Sequence, residues 1–137
     1  MDRVFVDSDI ILDLLSARQP HYSPAAELFS LADEGFVKIF VSSLSFSNVN
    51  YILSRQYNGD QARKMLLKFK TLVSILPVND KTIELALSSE FKDFEDAIQY
   101  YTAIESKIET LLTRNLKDFR KAEISVLTAE HYLKSLE

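Results

Sequence analysis

Carboxylates and carboxamides fall at four points of the chain where an apolar run gives out. Asp7-Ser8-Asp9 follows Val4-Phe5-Val6, and Asn48 comes a few residues after Ile39-Phe40-Val41. Asp93 and Asp96 flank Phe94-Glu95, and Asn115 and Asp118 follow Leu111-Leu112-Thr113. Short apolar runs bounded by polar residues read as buried strands. In an open parallel sheet the carboxyl ends of the strands share one edge, and ligands bind there. Acidic side chains gathered on that edge repel one another unless a divalent cation lies among them. The chemistry to which this set of oxygens points is metal-dependent cleavage of a phosphodiester.

Other chemistries are poorly supplied. The chain has no cysteine, which excludes disulfides, thiolate metal sites and a cysteine nucleophile. Its two histidines, His21 and His131, lie in polar surroundings near expected helix starts and read as surface residues. Neither an imidazole zinc site nor a Ser-His-Asp triad is expected. Any base chemistry falls to carboxylates or to water bound by a metal. With 16 basic and 20 acidic residues the net charge is −4. A globally acidic protein is not a non-specific nucleic-acid binder, because that affinity comes from cationic contacts to phosphates. A metal site and a local basic patch can still supply the field such a substrate needs.

The elements that must position these groups alternate along the chain. A strand over residues 3–7 runs into a helix capped by Ser8 or Asp9, with Ile10, Ile11, Leu14 and Leu15 on one stripe. Gln19-Pro20-His21 breaks that helix. A second helix covers 23–34, with Pro24 in its first turn and Gly35 past its end, and a strand follows at 37–41. Helices are expected at 45–57 and 60–70, separated by Asn58-Gly59. A strand at 73–78 contains Pro77, which places it at a sheet edge. Helices at 80–89 and 94–106, strands at 108–113 and 124–127, and a last helix capped by Thr128 complete the series. Strands alternating with helices imply crossover units and a three-layer α/β/α fold around a parallel, five-stranded sheet. At 137 residues one domain, 1–137, is expected. No apolar run approaches the ~20 residues needed to span a bilayer. The opening Met-Asp-Arg-Val-Phe-Val-Asp is not a secretory signal, so a cytoplasmic protein is expected.

Val4-Phe5-Val6-Asp7-Ser8-Asp9, Asp93-Phe94-Glu95-Asp96-Ala97 and Thr113-Arg114-Asn115-Leu116-Lys117-Asp118-Phe119, in that order, resemble the PIN-domain family. The resemblance spans residues 3 to about 128. It implies a Mg²⁺- or Mn²⁺-dependent ribonuclease, and in many small bacterial members a VapC-like toxin silenced by an antitoxin protein. Carried over residue by residue, it makes Asp7, Asp96 and Asp118 the metal carboxylates, with Asn115 as a polar neighbour orienting the group or the water. It also implies an RNA substrate, and by analogy a homodimer for which the apolar helices at 45–70 would supply the surface. One position departs from the pattern: Asn48 stands where the family usually has Glu. An amide oxygen can bind a hard cation but brings no charge. Asp9 and Asp93, close in sequence to Asp7 and Asp96, are the groups placed to compensate.

Plainer roles compete at each position. Asp7 and Asp93 are good helix caps, Asp96 and Glu95 sit where a helix dipole favours acids, and Asn115 and Asp118 suit a turn. Asp13, i+4 from Asp9, reads as a solvated face residue. Arg114, Lys117, Arg120 and Lys121 crowd Asp118 and are candidates for phosphate contacts, against a charge-balanced loop. Tyr51, Tyr57, Tyr100 and Tyr101 read as packing residues before they read as base-stacking ones. Two other functions stay open. One is a catalytically weakened relative that binds RNA or protein, favoured by Asn48. The other is an acidic-edge phosphatase, for which Asp7-Ser8-Asp9 offers an Asp-x-Asp setting without a downstream phosphate-holding Lys motif.

Overall fold

The computed structural model describes residues 1–137. Its strands are β1 (Asp2–Val6), β2 (Val37–Ser42), β3 (Ser74–Leu76), β4 (Thr110–Leu112) and β5 (Ser125–Leu127). They form one sheet in the order β3-β2-β1-β4-β5, every pairing parallel. The helices are α1 (Ser8–Leu15), α2 (Tyr22–Asp33), α3 (Ser43–Gln56), α4 (Gly59–Lys70), α5 (Asp80–Leu87), α6 (Phe94–Glu105) and α7 (Ala129–Ser135). No helix is long and apolar enough to cross a membrane.

The two-residue alternation of a strand divides the core into layers. Val4 and Val6 of β1, with Ile39 and Val41 of β2, face α1 to α4, where they meet Ile10, Leu28, Val49, Leu53 and Phe69. Phe5, Phe40 and Leu111 point to the opposite face and pack on Tyr100 and Ala103 of α6. Outside that, Ala86 of α5 packs on Ala97 and Ile98. Where β1 is buried on both faces, over Val4-Phe5-Val6, every position is apolar, while Asp2 and Arg3 at its start are exposed.

The strand order decides where a ligand can bind. From β1 the chain lays β2 and β3 to one side, then returns past β1 to lay β4 and β5 on the other. The loops leaving β1 and β4 therefore diverge, opening a crevice at the carboxyl ends of these two neighbours. β3 lies at an edge as expected, but it ends at Leu76, so Pro77 falls just past the strand and not within it. Gly35, just beyond α2, has φ +85°, a backbone state open to glycine at little cost.

The expected elements are present, with three local corrections. Asp7, rather than Ser8 or Asp9, caps α1, its Oδ1 accepting from the Ser8 N–H at 2.8 Å. α3 begins at Ser43, because the Ser42 hydroxyl accepts from the Ser45 N–H at 3.2 Å and so starts the helix earlier. A 3₁₀ turn over Leu116–Phe119, unforeseen in the sequence, follows Asn115 and buries Phe119.

The alternation has a direct test. Phe5 is fully buried, whereas Phe36 is 67% exposed. Phe5→Ala should cost roughly 3–5 kcal/mol of unfolding free energy, and Phe36→Ala within about 0.5 kcal/mol, measured by urea denaturation.

Candidate active site

The crevice is built from the two central strands outward. β1 pairs with β4 up to Val6 opposite Leu112, and the Asp7 N–H continues the ladder by donating to the Leu112 carbonyl at 3.0 Å. That register sets Thr113 beside the α1 cap. The Thr113 hydroxyl lies 3.0 Å from Asp7 Oδ2 and 3.3 Å from Asp9 Oδ2. The Arg114 N–H also donates to Asp9 Oδ2, at 3.0 Å. Asp9 Oδ1 is buried with no protein partner. The loop leaving β4 therefore fixes both carboxylates of the segment leaving β1.

Two further helices close the crevice. Asp93 caps α6, accepting from the Asp96 N–H at 2.9 Å, and this holds Asp96 in the first turn at the crevice wall. α3 enters from the other side with Asn48. Its Nδ2 donates to Glu95 Oε1 at 2.9 Å. Beneath the floor, the fully buried Gln99 of α6 donates from Nε2 to Ser45 Oγ at 2.9 Å, while Ser8 Oγ lies 3.0 Å from Ser45 Oγ. One amide thus ties α6 to α1 and α3, the three helices that carry these acidic and amide groups.

The result is an open cleft of about 620 Å³. Asp7, Asp9, Asn48, Asp93, Asp96, Asn115 and Asp118 all line it. Glu95 and Tyr51 line it too. Sequence reasoning read Glu95 only as a first-turn acid and Tyr51 as a packing residue. For Glu95 the available signal was its place directly before Asp96, whereas its pairing with Asn48, 47 residues away, left none. For Tyr51 it was the i+3 spacing from Asn48, which puts both on one helix face.

Lys117 and Arg120 do not line this cleft. With Lys92 and Lys121 they line an adjoining one of about 510 Å³, and Asp93 and Asp118 border both. Arg114, expected to face phosphates, is held elsewhere: its Nε and Nη2 donate to both oxygens of Asp13, at 2.8 and 3.0 Å. Asp13 is correspondingly buried, not solvated. The i+4 step from Asp9 turns it toward the end of β4, where the arginine compensates its charge.

Crowding shows in the titration of the acids. Burial, then the Asp9 charge, pushes the Asp7 carboxyl up to about 8. Burial, followed by the charges of Asp93 and Asp118, pushes Asp96 up to about 7. Asp9 and Glu95 are also raised, mainly by burial, with the Arg114 backbone N–H opposing the shift at Asp9 and Asn48 opposing it at Glu95.

The sequence pattern of the PIN domain matches residues 3–117. The chain belongs to the PIN-domain family. Solved structures agree in fold. The toxin–antitoxin complex from Klebsiella pneumoniae is 26% identical, with 92% of this chain and 97% of that one aligned at a TM-score of 0.68. VapBC-1 from nontypeable Haemophilus influenzae is 14% identical, over 93% and 98% of the two chains, at 0.71. Mycobacterium tuberculosis VapC20, described as a Sarcin-Ricin loop cleaving toxin, is 17% identical over 79% and 86%, at 0.64. No individually curated protein matches the chain.

The donors fit a hard cation in type: all are oxygens, several charged, and one carboxylate oxygen of Asp9 is buried without a partner. No three carboxylate or imidazole side chains are arranged to hold an ion by themselves.

The raised carboxyls predict an unusual pH dependence in the metal-free protein. Between about pH 4 and 8 the folded chain retains protons on Asp7 and Asp96 that the unfolded chain has released. Stability conferred by those protons is complete below about pH 4, falls progressively as pH rises, and is gone once pH has passed about 7 for Asp96 and about 8 for Asp7. With chelator present, the melting temperature should fall from pH 5 to 8.5, and Asp7→Asn, which keeps a capping side chain, should flatten the decline. A decline of equal steepness in the variant would remove Asp7 as its source.

Proposed function

We propose that this PIN domain is a Mg²⁺- or Mn²⁺-dependent endoribonuclease, the toxin half of a toxin–antitoxin pair. The observation that carries the reading is the convergence of Asp7, Asp96 and Asp118 on one cleft at the switch point of the sheet. One or two of Asp7, Asp96 and Asp118 would bind the ion directly, the rest of the three holding its waters together with Asp9, Asp93 and Asn115. When bound, the ion would make water more acidic and offset charge building on the phosphoryl oxygens.

The chain's own groups have separable tasks. Thr113 keeps Asp7 oriented, and its Oγ1 accepts from the Asn115 N–H at 3.1 Å, so the same hydroxyl sets the turn that presents Asp118. Lys117 and Arg120, together in the adjoining cleft, would contact phosphates to one side of the cleaved bond without reading sequence. The neighbours described as toxin–antitoxin complexes support an antitoxin partner for this chain. Leu67 of α4 and Tyr57 between α3 and α4 are 70% and 45% exposed, and a homodimer through these helices would cover them.

A second reading is kept alive by Asn48: a relative that binds RNA or protein and cleaves poorly. Mn²⁺ titration calorimetry with a parallel cleavage assay on single-stranded RNA separates the two. The wild type should give saturable heat and cut RNA, and Asp96→Asn should abolish both. Heat without cutting selects the binding reading. Equal heat and equal cutting in wild type and Asp96→Asn would sink the metal assignment.

A further inference from the structure

We infer that Tyr51, braced by Arg55, is a base-stacking subsite at the rim of the acidic cleft, and that the ligand it takes is an unpaired stretch of RNA. The inference rests on the nuclease reading and adds where the substrate's bases go.

Tyr51 lies one turn along α3 from Asn48 and lines the same cleft, yet 62% of it is open to solvent. Packing does not account for a ring left in water. Nor is the ring loose: the Arg55 guanidinium lies 5.5 Å from its centroid, and Arg55 Nη1 donates to the Tyr51 hydroxyl at 3.1 Å. A tyrosine so held offers a flat surface of the kind on which bases stack, beside a fixed positive charge. The charge pattern completes the path. Tyr51 lines one cleft with Asp96, and Asp93 and Asp118 border both that cleft and the second one, which Lys92 and Lys117 line. Neither lysine is in an ion pair. A strand laid along both clefts puts a base on Tyr51, a phosphate over the carboxylates and further phosphates on the lysines. Only an unpaired strand exposes a base face in that way, whereas a duplex hides its faces in the stack.

The chain has no tryptophan, so Tyr51→Trp installs a lone indole at the proposed contact. The probe is a 2′-O-methyl phosphorothioate oligouridylate, chosen to resist cleavage, titrated into the full chain with Mn²⁺ present. Its binding should quench the indole saturably, and an abasic oligomer of equal length should not. Tyr51→Ala should bind the oligouridylate ~10-fold more weakly, within the range of one lost stacking contact, while Tyr51→Phe should stay near wild type. Affinity within twofold of wild type for Tyr51→Ala overturns the inference. So does a changed association state with unchanged oligomer affinity, which would make this face a contact between copies of the chain. If Lys117→Glu weakens binding while Tyr51→Ala does not, the stacking subsite falls and the nuclease reading stands. If the wild type binds no oligomer, both fall.

Discussion

Everything at the cleft depends on the pairing of β1 with β4. The register that sets Val6 against Leu112 also brings the Asp7 N–H to the Leu112 carbonyl and Thr113 over two carboxylates. A shift of one residue would turn the apolar side chains of β4 to the wrong faces and carry the Thr113 hydroxyl away from Asp7. Core packing thus specifies a polar contact between two buried side chains. The strand order adds the opening: because the chain reverses direction across the sheet beside β1, nothing fills the space between the two exits.

The cleft is costly to the protein that carries it. Asp7 and Asp96 are both largely removed from water and surrounded by other acids, so their ionised forms are disfavoured in the folded state. Hydrogen bonds offset only part of this. Asp7 has two donors, while Asp9 has donors on one oxygen and none on the other. By contrast, Asp13 receives both prongs of Arg114 and shows how the same fold treats an acid whose charge is simply to be neutralised. The difference between these aspartates, a few residues apart on one helix, marks which of them the structure leaves available.

Much of this was legible in the sequence, and the reasons differ by residue. The runs Val4-Phe5-Val6 and Ile39-Phe40-Val41 are apolar on both faces and read as buried strands, and Pro77 pointed to the edge strand that it follows. Asp7, Asp96 and Asp118 were legible as a group because each lies close to an element boundary, and all three line one cleft. What could not be read were contacts between segments far apart in sequence. Asp13 turned out buried because its partner lies 101 residues away, a pairing that helix periodicity does not encode. Arg114 was misplaced for the same reason. Tyr51 was mistaken for a packing residue because ring exposure depends on what α3 does not touch. The 3₁₀ turn at Leu116–Phe119 is too short to leave a period.

The hydrogen bond between Asn48 and Glu95 joins α3 to α6 across the mouth of the cleft with one amide and one acid. The bond is indifferent to which helix supplies which group. Two acids here would repel, and two amides would leave the mouth neutral. Exchanging the two side chains would keep both the bond and its single negative charge. An amide at the α3 position need not record a lost charge, since the negative group has a berth on the opposite wall.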